Sequence, residues 1–190
     1  MGTPGRSGIP LMFTDEVTST GSATALYPLG ALRIEVNSTA AEGNCTYRYV
    51  KFDNGSGNVA AAAGACCYAI STTATKQWDV TSDVSTTDSG LAKGVFQSIL
   101  TDAYYGWIKT KGYQSNVKKA TGSGHAWVKG DYLHSLGAAT DDGRISRIKL
   151  AATTKATGAE LRALLERHCG YAAAAVSSTT ATGGAYLEME

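Results

Sequence analysis

The sequence predicts a mainly β protein: a small antiparallel β-barrel or β-sandwich with one short α-helix and an extended N-terminal arm. Three observations carry this prediction. Apolar and polar residues alternate with period two over several short runs, clusters of Gly, Asn and Asp separate those runs, and one stretch alone has helical spacing. The expected division is an arm over residues 1–28 and a single β-rich domain over 29–190.

The arm comes first in the chain. Gly2, Pro4, Gly5, Gly8 and Pro10 deny it regular structure, and the Ser/Thr-rich run from Thr14 to Thr24 adds turn formers. Ile9, Leu11, Met12 and Phe13 are nevertheless apolar and have no local structure to bury them. Two readings stand side by side: a frayed terminus, or an arm that orders on a neighbouring subunit through these four residues.

Strands follow. Leu32-Arg33-Ile34-Glu35-Val36 alternates as a strand with one buried face should, and Tyr47 to Phe52 is rich in aromatic and β-branched residues. Asp53-Asn54-Gly55 marks a turn, and Asn-Gly is a strong hairpin signal. Further short strands are expected at Lys76–Val80, Gly94–Leu100, Tyr104–Thr110, Ala126–Val128 and, after the turn Asp141-Asp142-Gly143, at Arg144–Leu150. The Ala-rich stretch Val59–Ala69 fits a buried helix and a close-packed strand equally. Thr157-Gly158-Ala159-Glu160 has the capping-box pattern, Leu161, Leu164 and Leu165 form a helical stripe, and Gly170 reads as the C-cap, so a helix is expected over 158–169. A terminal hairpin is expected to turn at Thr182-Gly183-Gly184 and end at Tyr186–Met189.

Composition limits function. The 190 residues carry 17 Lys+Arg against 16 Asp+Glu, and charged residues make up 17%, below the usual quarter. Net charge of +1 argues against nucleic-acid binding driven by global charge, and a surface of small neutral residues suits wide contact with other chains. The longest apolar stretch, Val59–Ile70, is interrupted by Gly64 and falls short of the roughly 18–20 residues of a membrane span. The apolar patch Ile9–Phe13 is too short for a signal h-region. Cys45, Cys66, Cys67 and Cys169 match neither metal-ligand pairs nor a disulfide framework, and buried reduced thiols are expected, as suits a reducing cytoplasm.

Catalytic signals are weak. There is no Gly-x-Ser-x-Gly elbow and no Walker loop, and Gly2, Gly5 and Gly8 lack the spacing of a dinucleotide fingerprint. His125 in Gly122-Ser123-Gly124-His125 reads as a turn, and His134 near Asp131 as a surface pair. No catalytic residue, cofactor or metal is expected, and the chain is expected not to be an enzyme. The three sequons at Asn37, Asn44 and Asn54 read as chance matches. Between Tyr104 and Lys155 there are nine basic residues against three acids, a bias that fits a solvated strand face, then docking on an acidic protein surface, and third nucleic acid, for which the aromatic interleaving is thin.

Gly94-Val95-Phe96-Gln97, followed by Tyr105-Gly106-Trp107-Ile108-Lys109-Thr110-Lys111-Gly112, resembles the core of tailed-bacteriophage capsid decoration (cement, head-stabilising) proteins. Tyr47–Lys51, Val128–Asp131, Asp142-Gly143 and Gly170-Tyr171-Ala172 follow in the same order, so the resemblance covers residues 29–190 loosely. The family motif rests on Gly94, Val95, Gln97, Tyr105, Gly106, Trp107 and Ile108. The resemblance implies a virion structural protein on the outer capsid surface, assembled in the host cytoplasm. Its partners would be the major capsid protein and neighbouring copies of itself, as a trimer, with no membrane and no direct nucleic acid. A tail or fibre-base virion protein and a carbohydrate-binding β-module are the alternatives. The helix at 158–169 and the long arm depart from the smaller members of that family.

Overall fold

The computed structural model describes residues 16–36, 43–70, 76–86, 91–136, 142–148 and 168–189. Alternation becomes pairing first at β1 (Leu32–Val36) and β2 (Asn44–Phe52), which run antiparallel with Ile34 opposite Thr46. Eight further strands follow: β3 (Cys66–Ala69), β4 (Asp79–Thr81), β5 (Ala92–Phe96), β6 (Tyr105–Lys118), β7 (Tyr132–Ser135), β8 (Ile145–Arg147), β9 (His168–Ala172) and β10 (Thr182–Glu188). They join in one sheet in the order β1-β2-β4-β3-β5-β6-β10-β9-β7-β8, and the mainly β class is as the sequence predicts. Among the described residues the only helical element is a single 3₁₀ turn at Val84–Thr86.

Pairing is antiparallel with one exception. β2 and β4 run parallel, with Lys51 beside Asp79 and Phe52 beside Val80. β6 pairs with β5 and also with β2, so the ladders from β2 through β4, β3, β5 and β6 lead back to β2. Val50, Phe52, Cys67, Val80, Phe96, Leu100 and Ile108 from these strands and their connections form one buried cluster. A second cluster gathers Tyr68, Val95, Val117, Trp127, Leu133, Ile145, Cys169 and Leu187. A third, aromatic cluster joins Tyr27, Tyr47, Tyr49 and Trp107.

These three clusters explain the ambiguity of 59–69. Cys66 and Tyr68 face the second cluster while Cys67 faces the first, so β3 is buried on both sides and its sequence shows no alternation. β6 runs eight residues beyond the expected Thr110. Its second half, Lys111 to Lys118, is polar and partly exposed, and only the ladder with β10 reveals it as strand.

Several local expectations are corrected. The turn at Asp53–Gly55 forms, with Asn58 N–H donating to the Gly55 carbonyl, but it does not close a hairpin: β3 pairs with β4 and β5, not with β2. Ala126–Val128 contributes a single bridge, Trp127 to Val176, rather than a strand. Thr182-Gly183-Gly184 is the start of β10, bulged before Ala185, and the terminal hairpin turns instead between Ala172 and Thr182. His168, Cys169 and Gly170 belong to β9, not to a helix end. Gly170 has φ +136°, and a Cβ there would lie 1.8 Å from the Tyr186 carbonyl oxygen. The glycine serves a close strand approach rather than a C-cap. The rest of the expected helix, 158–167, lies outside the described residues.

Of the expected arm, Ile9, Leu11, Met12 and Phe13 lie outside the described residues. Residues 16–28 lie on the chain's own sheet. Ser22 and Tyr105 exchange both backbone hydrogen bonds (3.0 and 2.9 Å), Ser98 donates to the Ser19 carbonyl (2.6 Å), and Tyr27 is buried edge-on against Tyr49.

Candidate functional site

The residues on which the resemblance rests build the centre of the fold. Gly94 and Val95 on β5 pair with Cys67 and Cys66, and Ile108 on β6 pairs with both Phe96 and Arg48. Period two sends Trp107 to the aromatic cluster and Ile108 to the opposite face. Gly106 sits where a Cβ would lie 2.6 Å from the Leu100 side chain, so a larger residue would force Leu100 out of the core. Tyr105 stacks against Tyr49, and Gln97 donates from Nε2 to the Val95 carbonyl (2.8 Å). These residues are internal, and a partner would not touch Trp107.

A groove of about 470 Å³ opens beside this centre. It forms because β1 and β4 meet β2 along the same edge, one after the other, with Trp78 at the entry to β4. Leu32 and Ile34 from β1 form one apolar wall, and Arg48, Trp78, Lys93 and Lys111 supply the remainder with Thr46, Gln77, Thr110 and Met189. The indole of Trp78 lies near two cations: the Arg48 guanidinium carbon is 5.2 Å and the Lys93 Nζ 5.5 Å from its ring centroid. Arg48 is held further by donating to the Gly30 carbonyl (3.0 Å). No acidic side chain among the described residues lines the groove. Such a surface favours a carboxylate-bearing, partly apolar occupant over a cation.

Of the nine basic residues between Tyr104 and Lys155, Lys149 and Lys155 lie outside the described residues, and two of the other seven are buried. Lys109 is buried, donates to the Tyr113 carbonyl (2.9 Å) and lies over the Tyr47 ring. Lys119 is buried and donates to the carbonyls of Ala120 (2.7 Å) and His125 (2.9 Å), and burial lowers its pKa. Arg147 pairs with Asp131 at 3.6 Å. Of the seven described, Lys111 reaches the groove. Arg48, Trp78 and Lys93 come from distant segments, and no local motif marks them.

The expected pair of His134 with Asp131 is replaced: His134 Nδ1 lies 2.9 Å from the Ser135 carbonyl, and Asp131 turns to Arg147 and the Val128 N–H. His125 Nδ1 lies 2.7 Å from the Ser146 hydroxyl, but that hydroxyl is buried and out of a substrate's reach. All four cysteines are buried free thiols, as expected. Among the described residues no cluster of His, Cys, Asp or Glu could hold a metal, and no helix is long and apolar enough to cross a membrane.

No protein-family model, curated protein or solved structure matches this chain.

Trp107 and Trp127 are buried while Trp78 is half-exposed beside two cations. Iodide is therefore expected to quench one tryptophan of the three, and Trp78→Phe to remove the quenchable fraction. Quenching that survives in that variant would contradict the burial of the other two.

Proposed function

We propose that this chain is a non-enzymatic virion protein that binds the outer surface of a phage capsid and stabilises the head. In this reading the five-strand circuit from β2 to β6 is the small β-barrel of the decoration family. The observation that carries the proposal is exposed apolar surface on several strands. Leu32, Ile34 and Val36 stand out on β1, and Tyr132 and Tyr186 on β7 and β10. Exposed apolar surface of this kind marks contact with other chains. The cationic groove between Arg48 and Lys111 adds a site for acidic segments of the major capsid protein. Binding only the assembled shell stabilises that state by mass action, and bridging several shell proteins multiplies modest contacts through effective concentration.

The copy number of this chain against the major capsid protein, measured by quantitative mass spectrometry of purified particles, tests the reading. Hundreds of copies in a simple ratio to the shell protein are expected. A dozen or so would move the chain to the tail or fibre base, and absence from the particle would overturn a virion role.

A carbohydrate-binding module is the second reading, on one specific observation. Tyr132, Tyr171, Tyr186 and Tyr113 stand in register on four neighbouring strands, β7, β9, β10 and β6. Ring centroids are 5.0 Å apart for Tyr132–Tyr171 and 5.4 Å for Tyr113–Tyr186, so the four form two contacting ring pairs on adjacent strands. Such pairs offer stacking faces to sugar rings and hydroxyls to their edges.

A further inference from the structure

β1 lies at the end of the strand order, and among the described residues it pairs with β2 alone. No strand among the described residues pairs with its other edge. On one face Leu32, Ile34 and Val36 are 44, 60 and 79% exposed, an increasing gradient of uncovered apolar surface. Natural edge strands are usually protected by a charge that points into the strip or by like charges that repel a copy. β1 has neither device. Its two charges are opposite, Arg33 and Glu35, and they sit symmetrically on either side of Ile34.

That symmetry makes the strand complementary to itself. In an antiparallel pair centred on Ile34, Arg33 stands opposite Glu35 of the second copy and Glu35 opposite its Arg33. Leu32 faces Val36 twice, and Ile34 faces Ile34. Centring on Arg33 or Glu35 would set like charges directly opposite one another, which destabilises a pair. Centring between two residues would turn the apolar face of one copy onto the charged face of the other. One register thus satisfies both faces. Within a single chain Arg33 and Glu35 are already 2.6 Å apart, so pairing would join two such ion pairs into a four-charge group at the two-fold axis.

We propose that two copies of this chain join edge to edge through β1, antiparallel and centred on Ile34, to form a two-fold dimer. The inference is independent of the virion reading. It replaces the trimer implied by family resemblance with a contact that closes at two. Five residue pairs make a small interface, so association in the micromolar range is expected, on the order of 10–100 µM.

Sedimentation velocity of the full chain from about 1 to 200 µM tests it, with three variants. R33E places four acids at the axis and E35R four cations, and each is expected to weaken dimerisation at least about tenfold. R33E/E35R restores opposite charges in every cross-strand pair and is expected to recover the wild-type constant within about threefold. Amide hydrogen exchange on the wild-type chain provides a readout that needs no variant: protection at residues 32–36 should rise with concentration. A chain that stays monomeric, a trimer, a dimer indifferent to both reversals, or a double variant as weak as the singles would each overturn the proposal. Should the single variants fail to fold, protection at 32–36 that does not change with concentration would overturn it as well.

Discussion

Replacing Trp107 with alanine is expected to cost about 3–5 kcal/mol, the range for removing a large buried aromatic. The indole is essentially inaccessible and forms the hub of the aromatic cluster. Tyr49 lies 5.1 Å from it at 60°, Tyr27 5.5 Å away, and the Arg33 guanidinium 5.7 Å above its ring. Tyr49 is also its backbone partner across the β2–β6 ladder. Removing the ring therefore opens a cavity and releases three neighbours at once. One of them, Tyr27, pins residues 16–30 to the sheet. Typical domains have about 5–15 kcal/mol in total, so this variant should lie near the edge of folding. Urea denaturation followed by circular dichroism checks it. Trp78→Ala is the control: its ring is half-exposed and at the groove, so the loss should be clearly smaller. Equal losses would mean that the aromatic cluster is not the hub described.

Alkaline pH is expected to unfold the protein steeply. Cys66, Cys67 and Tyr68 lie side by side on β3, all buried. A hydrogen bond with Cys169 raises the Cys66 thiol pKa most, followed by burial. Burial raises Cys67 and Tyr68 well above their ordinary values of 9.0 and 10.0. In the folded chain these groups keep their protons at a pH where the unfolded chain has lost them. The unfolded state then binds fewer protons, so stability falls as pH rises above about 9. Each group contributes about 1.4 kcal/mol per pH unit once its unfolded form is ionised, or about 4 kcal/mol per unit with all three engaged. Lys119 opposes this in part. Burial lowers its pKa, so between that lowered value and 10.5 the unfolded chain binds the extra proton and stability rises with pH. One lysine cannot offset three acids. Urea midpoints measured from pH 8 to 11 should be level at first and then collapse, and Cys67→Ala should soften the slope. Midpoints that stay level to pH 11 would show that these groups are solvated in the folded state.

Legibility in the sequence followed the pattern of side chains more closely than their burial. β1 and β2 appear where the sequence places them, but on β1 the expected buried face is the open one: Leu32, Ile34 and Val36 are exposed, while Arg33 packs over the Trp107 ring. β3 is buried on both sides and β6 is half solvated beyond Thr110, so neither shows a period to read. Gly170 and Thr182-Gly183-Gly184 carry the residues of a cap and a turn. Close strand approach and a bulge recruit the same residue types, and only the partner strand distinguishes the cases.

The sequence by itself determined the mainly β class, the places of several strands and the burial of the four cysteines. Tertiary structure alone decided which strands pair, that β2 and β4 run parallel, and that Arg48, Trp78 and Lys93 meet in one groove. It also decided that Lys109 and Lys119 serve the interior rather than a docking patch. The physical reason is range. Alternation records which residues share a face of a strand, a property of adjacent residues, whereas the burial of that face, pairing order and side-chain convergence depend on which distant surfaces pack together.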